Sequence, residues 1–517
     1  MLQIKDLCIS MKKDLRPLLS GFSFALNPGD RVAVIGEEGD GKSTLLKLIY
    51  DASMVEGYAE WSGQIMKDGL LLGYLSQEVG PKEGALSGYE FCCREPAFLE
   101  SSPGELSAAA GKLGIPVELF YTDRPVGTLS GGEKVKLRMA LLTLKRPDVY
   151  LLDEPSNDLD VETLEWLEGF LLDCGKPVIY ISHDEALLEN TANVILHMEL
   201  LRRKTLPRWT VARSGYRQYV EERLGRFRKQ EQLARKEREE DRKRQEKIRR
   251  MEQQVQHRMD SISHAERDAV ARLLKKKMKS VKSMEHRYDR ERGDMTEFPD
   301  SEEALLAGFD PGVSIPAGKT VLELSLPELR TEDGRLLAEN IELTVRGPEH
   351  ICIIGKNGAG KTTLLRKIAV MLLGRGDLKA AYMPQSYAET LDQNMTPVEF
   401  LTDGSGEKAA LTRAKTYLGS MKYTPEECAH NINGLSGGQK AKLFFLRMIL
   451  SGSNVLILDE PTRNFSPLSG PVIRGMVEGF GGCVISVSHD RRFIGQAGGM
   501  VYELTERGLL KKRKCQE

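Results

Sequence analysis

No stretch of this 517-residue chain stays apolar long enough to cross a bilayer, and Met1-Leu2-Gln3-Ile4-Lys5-Asp6 reads as a strand start in place of a signal peptide. A soluble chain is expected. Its eight cysteines include no C-x-x-C pair, and Cys92-Cys93 is the only close spacing. That argues against a disulfide framework, structural zinc or an iron–sulfur centre, and fits a reducing cytosol. Net charge is nearly missing too, with 74 Lys and Arg against 75 Asp and Glu, but the balance is uneven along the chain. From Glu221 to Arg292 there are 24 basic and 15 acidic residues, net +9, which leaves 50 and 60 elsewhere, net −10. The basic surplus sits in one segment. From Tyr216 to Arg292 that segment holds no proline, and Gly225 is its only glycine.

On either side of it lie two copies of one set of motifs. The first runs Gly36-Glu37-Glu38-Gly39-Asp40-Gly41-Lys42-Ser43, Gln77, Leu129-Ser130-Gly131-Gly132-Glu133, Asp153-Glu154 and His183. The second runs Gly355-Lys356-Asn357-Gly358-Ala359-Gly360-Lys361-Thr362, Gln385, Leu435-Ser436-Gly437-Gly438-Gln439, Asp459-Glu460 and His489. From serine to carboxylate pair is 23 residues in both copies, and from that pair to the histidine 30 in both. Matched spacing of this kind marks a duplication.

Arg31–Ile35 and His350–Ile354 are β-branched runs that end on a glycine and open a Leu-rich helical stretch. Gly36, Gly39 and Gly41, like Gly355, Gly358 and Gly360, let backbone N–H groups face phosphate oxygens at a helix N-terminus. Lys42 and Lys361 are expected on the β- and γ-phosphates, Ser43 and Thr362 on Mg²⁺, and Thr44 and Thr363 follow in the same ATP-binding run. Val149–Asp153 and Val455–Asp459 read as buried strands that deliver carboxylates to the ligand-facing edge of a parallel sheet. Asp153 and Asp459 suit the metal, and Glu154 and Glu460 suit orientation or deprotonation of the attacking water. In isolation, Asp-Glu-Pro is just as well a strand-ending turn.

Together these residues resemble the ATP-binding cassette superfamily. The resemblance implies an α/β fold of two P-loop cassettes that close face to face around two ATP molecules. Ser130, Gly131 and Gly132 would complete the site on Lys361, and Ser436, Gly437 and Gly438 the site on Lys42. It also assigns Gln77 and Gln385 to the metal and water, and His183 and His489 to the γ-phosphate. The copies differ after the glutamates: Pro155-Ser156-Asn157-Asp158-Leu159-Asp160 follows the usual pattern, whereas the second copy carries Ser466 where the closing Asp is expected. Unequal turnover at the two sites is the expectation. Where relatives place an aromatic ring on adenine, 26 residues before the lysine, this chain has Arg16 and Arg335. A guanidinium plane could stack there, or each could be a plain surface arginine.

The Arg-, Lys-, Glu- and Gln-rich connector predicts long helices. Ile248, Met251, Val255, Met259 and Ile262, then Val270, Leu274, Met278, Val281, Met284 and Tyr288, form a narrow apolar stripe that suits two antiparallel helices. Their turn is expected within Val255 to Ala265, with His257, Arg258 and His264 near the tip. Arms of about 30 residues would reach about 45 Å at 1.5 Å per residue. Lys275, Lys276, Lys277 and Lys279 have no interleaved acid and, with Arg258, are the expected RNA contacts, although mixed charge elsewhere suits a plain solvated face. The expected domains are a first cassette over 1–214, the linker over 215–318 and a second cassette over 319–517.

This architecture resembles the ABC-F family of ribosome-associated ATPases. The resemblance implies a cytoplasmic monomer with cassettes paired within the chain. Its ATP-bound form would enter the ribosomal exit site, and its hairpin would reach P-site transfer RNA and large-subunit RNA near the peptidyl-transferase centre. Hydrolysis would release it. Some members protect ribosomes from antibiotics, others serve translation generally. The distance from glutamine to signature serine, 53 and 51 residues, leaves no inserted arm and favours protection. The alternatives are a general translation factor, the ATPase subunit of a membrane transporter, or a DNA-maintenance ATPase.

Overall fold

The computed structural model describes residues 1–201, 205–260, 267–293, 295–299, 308–331, 334–387, 391, 394–421 and 423–512. The chain forms two compact units, one of Met1–Tyr216 together with Glu302–Glu517, the other of Arg217–Ser301.

Within the larger unit, β1 (Gln3–Met11) pairs antiparallel with β2 (Pro17–Ala25) and β4 (Ala59–Met66). Beside this small sheet stand β3 (Arg31–Ile35), β5 (Leu72–Leu75), β6 (Val149–Asp153), β7 (Val178–Ile181), β8 (Val194–Leu200) and β9 (Leu206–Ala212), in the order β5-β6-β7-β3-β8-β9. All neighbours are parallel except β8 and β9. Every residue of β6 and β7 is buried, as expected of parallel strands covered on both faces. Leu45, Leu46, Leu48 and Ile49 of the helix Lys42–Tyr50 pack on Val32, Val34, Leu151 and Ile179. Truncating one of these leucines to alanine would cost about 2–5 kcal/mol.

The second copy repeats the plan. β10 (Thr320–Arg330) and β11 (Leu336–Arg346) form an antiparallel pair. Next come β12 (His350–Ile354), β13 (Ala380–Met383), β14 (Val455–Asp459), β15 (Cys483–Val487), β16 (Met500–Thr505) and β17 (Gly508–Lys512), in the order β13-β14-β15-β12-β16-β17. Position for position this is the strand order of the first sheet. The duplication read from motif spacing is therefore a duplication of topology. Ile315 lies in the core of this cassette with Leu364, Leu365 and Ile368. In both copies the strand before the phosphate loop and the strand ending in Asp-Glu are separated by a single strand, so their carboxyl ends open on one crevice.

The smaller unit is helical, built on Tyr216–Asp260 and Arg267–Gly293. Its exposed face carries i,i+4 pairs such as Glu231–Arg235 at 2.6 Å and Glu239–Lys243 at 2.8 Å. Its apolar stripe is covered at Ile248, Val255, Leu274 and Val281. The return segment runs antiparallel to the first helix. Gln230 Nε2 donates to the Glu297 carbonyl at 3.0 Å, Thr296 N–H to Glu237 at 2.7 Å, and the Arg244 guanidinium lies 5.4 Å from the Tyr288 ring. The expected turn residues Ser261–Ala265, His264 among them, fall outside the described residues. Among the described residues no helix is long and apolar enough to cross a membrane.

Candidate nucleotide sites

Each phosphate loop turns into its helix through a left-handed glycine. Gly41 has φ 90° and Gly360 φ 96°. A Cβ on Gly41 would come within 2.9 Å of Leu18 Cδ1, and on Gly360 within 2.8 Å of Leu337 Cδ1, so conformation and space both demand glycine. Lys42 Nζ donates to the Gly36 and Glu37 carbonyls, both at 2.8 Å, and Lys361 Nζ to those of Gly355 and Lys356, both at 2.9 Å. The two loops thus hold their lysines alike, with Ser43, Thr44, Thr362 and Thr363 in the first turn of each helix.

At the ends of β6 and β14 the backbone is strained in a matched way. Glu154 (φ 51°) and Glu460 (φ 52°) are both left-handed, a conformation that non-glycine residues adopt at a cost and that clusters at functional sites. Ser43 Oγ donates to one Asp153 oxygen at 2.8 Å, and Tyr74 OH donates to the other at 3.1 Å. In the second copy both Asp459 oxygens are buried without a donor at hydrogen-bonding geometry. Burial pushes Asp459 up to about 6 although Thr362 pulls the other way. A hydroxyl beside a buried carboxylate is a hard-oxygen donor set, and orphaned carboxylate oxygens are what a Mg²⁺ arriving with phosphates would satisfy. Ser43 and Asp153, or Thr362 and Asp459, would hold that ion; Gln385 lines the same cavity as Thr362 and Asp459, whereas Gln77 is engaged by Glu154.

The two glutamates sit in different electrostatic settings. Gln77 Nε2 donates to Glu154 at 3.0 Å, Asn157 also donates to it, and His183 Nε2 stands 3.4 Å away. Burial alone would raise Glu154, but His183, Lys42 and Asn157 overcome it and bring it to about 2. Among the described residues the Glu460 carboxylate accepts one hydrogen bond, from the His489 backbone N–H at 3.2 Å, with His489 Nε2 at 3.6 Å. Burial, reinforced by the charge of Asp459, lifts Glu460 to about 8. Burial, then the charge of Lys361, lowers His489 to about 4.

Both signature segments begin helices, Gly131–Leu144 and Gly437–Leu450, through capping boxes. Ser130 Oγ accepts from Glu133 N–H at 3.2 Å, and Ser436 Oγ from Gln439 N–H at 3.3 Å. These helix N-termini face the opposite cassette. Gly438 N–H donates to Glu38 at 2.6 Å, and a Cβ on Gly131 would stand 3.4 Å from Asn357 Nδ2. A cavity of about 450 Å³ brings Gly131 and Asp158 of the first cassette to Lys361, Thr362, Gln385, Asp459, Glu460 and His489 of the second, with Arg335 on its wall. A larger cavity of about 670 Å³ borders Gln77, Glu154 and His183, with Arg138 and Arg463, but does not extend to Lys42.

Across the same interface Arg463 meets Asp158 at 2.9 Å, and His183 Nδ1 lies 2.8 Å from the Phe465 carbonyl. Arg491 pairs with Glu168, and Arg492 with Glu189. The loop difference seen in sequence has a structural counterpart. Asp160 caps the helix Val161–Asp173 by accepting from Thr163 N–H at 3.0 Å, whereas beyond Ser466 the helix starts only at Gly470 and ends at Glu478. Arg16, 3.8 Å from Asp14, lines neither cavity. Arg258, Lys275, Lys276, Lys277 and Lys279 are exposed on the helical unit. Sequence reasoning missed Asn157, Arg463 and Lys442, whose positions face a glutamate or the other cassette only once the chain is folded.

The pattern of the ABC transporter family matches this chain twice, over residues 19–157 and 338–463. The chain is 26% identical to ABC transporter F family member 2 of Arabidopsis thaliana, over 95% of this chain and 75% of that protein. It is 28% identical to the energy-dependent translational throttle protein EttA of Escherichia coli K12, over 95% of this chain and 90% of that protein. Among solved structures, an archaeal ribosome recycling factor, aABCE1, crystallised with the ribosomal stalk protein aP1, superposes with a TM-score of 0.59. That match has 17% identity and covers 98% of this chain and 90% of the other, a likeness of fold.

Proposed function

Since the chain belongs to the ABC transporter family of ATPases, in its ABC-F branch, we propose that it hydrolyses ATP at two composite sites to control its residence on the ribosome. In each site the phosphate loop and its lysine bind the triphosphate. The facing signature helix presents N–H groups to the outermost phosphate, and the left-handed glutamate orients the attacking water and takes its proton. Mg²⁺ bound with the nucleotide supplies neutralisation of phosphate charge. Water adds at the γ-phosphorus, the bond to the bridging oxygen breaks, and ADP and phosphate leave. His183 and His489, beside the glutamates, hold the water or the γ-phosphate in line.

The observation that carries the ribosomal reading is the pairing, in one chain, of two facing cassettes with a separate basic helical hairpin. An ATPase built to drive a permease has no use for such a hairpin. A relative supports the direction: the 28% identical protein of Escherichia coli is named a translational throttle. On this reading the protein works in the cytoplasm as a monomer. ATP pulls the cassettes together, and Arg258, Lys275, Lys276, Lys277 and Lys279 approach the phosphates of transfer RNA and large-subunit RNA. The short spacer between glutamine and signature in both halves favours protection of the ribosome against antibiotics over general service in translation.

The test is sedimentation through a sucrose gradient. The full-length double variant Glu154→Gln with Glu460→Gln, given ATP, should travel with ribosomes, and ADP should leave it at the top. A variant that binds ATP fully yet never joins ribosomes overturns the proposal. Expression in a susceptible host across a panel of ribosome-targeting drugs then decides protection: unchanged inhibitory concentrations for every class would leave the general translation role.

A further inference from the structure

The two phosphate loops share glycines and a lysine but not charge. Glu37, Glu38 and Asp40 stand in the first where Lys356, Asn357 and Ala359 stand in the second. Three carboxylates in a loop shaped to gather phosphates work against it, because its N–H groups and helix N-terminus favour an incoming anion that fixed negative charge repels.

All three acids are engaged. Buried Asp40 turns back on its own loop and accepts from Glu37 N–H at 2.7 Å. Glu37 reaches Lys442 of the facing signature helix at 3.0 Å, and that lysine side chain is only 11% exposed. Glu38 accepts from Gly438 N–H at 2.6 Å, in the first turn of the 14-residue helix Gly437–Leu450. A Cβ on Gly437 would stand 3.0 Å from the same carboxylate oxygen, so the glycines of that signature are what admit Glu38. The other site is arranged differently. There Lys356 pairs with Glu162 at 3.5 Å on an exposed surface, and Asn357 donates its amide to the Asp158 carbonyl.

We propose that Glu38 is a built-in anion that takes the place of a nucleotide's terminal phosphate at the second signature helix, with Glu37 and Lys442 latching it there. A short charge-assisted hydrogen bond from a helix N-terminus is the contact a γ-phosphate would seek, and Glu38 already makes it. The Lys42 site therefore binds nucleoside diphosphate and triphosphate with little discrimination, and it engages a triphosphate fully only after Glu38 swings away. The Lys361 site, with Asn357 at the equivalent position, keeps the preference for triphosphate and sets the ATP dependence of the whole protein. Glu38 is a specificity residue, and this inference rests on the reading of the Lys42 loop as a nucleotide site.

The experiment labels the full-length protein with azido-ATP or azido-ADP and assigns the label to each cassette by mass spectrometry. First-cassette labelling should half-saturate at similar concentrations of the two probes. Glu38→Asn should lower the ATP value by about tenfold or more, the scale of a hydrogen bond to a charged group, and leave the ADP value in place. Asn357→Glu should do the reverse to ATP at the second cassette while sparing ADP, which decides the matter if the first variant folds poorly. Equal shifts for both probes, or none, would overturn the role of Glu38 while loss of first-cassette label in Lys42→Ala keeps the underlying site intact. Label that survives Lys42→Ala would overturn both.

Discussion

Arg474 and Glu185, 289 residues apart in sequence, form a bidentate pair across the cassette interface at 2.6 and 2.9 Å, and both are buried. Burial raises the pKa of Glu185 and the Arg474 guanidinium opposes that rise. The energy of such a pair lies less in its formation than in what remains when one partner is removed. Arg474→Ala should destabilise the folded chain by about 3–5 kcal/mol, because an uncompensated carboxylate stays behind. Arg474→Met combined with Glu185→Leu should recover most of that loss. Urea denaturation of the single and double variants measures both.

Turnover should differ between the sites. Asn157 turns inward to Glu154, while Arg463, its counterpart in the second copy, turns outward to Asp158 of the other cassette. Glu154→Gln and Glu460→Gln should each silence their own site, a loss of about 10²–10⁴-fold there. The residual rates of the two single variants, each reporting the untouched site, should then be unequal. Residual rates that agree within error would contradict the asymmetry.

Stability should fall in mild acid through His350. Its ring Nε2 lies 3.1 Å from the Phe480 carbonyl at the start of β12. Burial lowers its pKa below the ordinary 6.5 despite contacts to backbone carbonyls. The unfolded chain therefore binds the proton more readily. This contribution is present above pH 6.5 and is lost as pH falls from there through the lowered native value. His350→Gln should flatten that part of the stability profile, as read by thermal melting between neutral and mildly acidic buffer.

Ribosome binding should depend on salt through the hairpin. Replacing Lys275, Lys276 and Lys277 by alanine should reduce the slope of log affinity against log salt by about 0.7–0.9 for each phosphate that these side chains neutralise. An unchanged slope would mark these lysines as a solvated face.

The phosphate loops, carboxylate ends and signatures were legible in the sequence, because each is a contiguous run whose chemistry dictates its local backbone, and duplication confirmed the spacing. The helical hairpin was legible through Ile248, Val255, Leu274 and Val281, whose period is fixed by helix geometry. What joins the cassettes was not. Arg474 with Glu185, His183 with Phe465 and Glu38 with Gly438 pair residues about three to four hundred positions apart, and no periodicity relates them. The serines of the signatures show a second limit. The same Ser-Gly-Gly-Glu/Gln run that resembles a nucleotide contact also builds a helix cap, and only the fold shows that it caps the helix that faces the other loop.

The central claim is that each nucleotide site is assembled from both cassettes. The direct measurement is ATP hydrolysis in a Glu154→Gln background, where turnover belongs to the site on Lys361. Adding Ser130→Arg should abolish it, and adding Ser436→Arg should leave it near the background rate. The opposite pattern, loss with Ser436→Arg and survival with Ser130→Arg, would contradict the account.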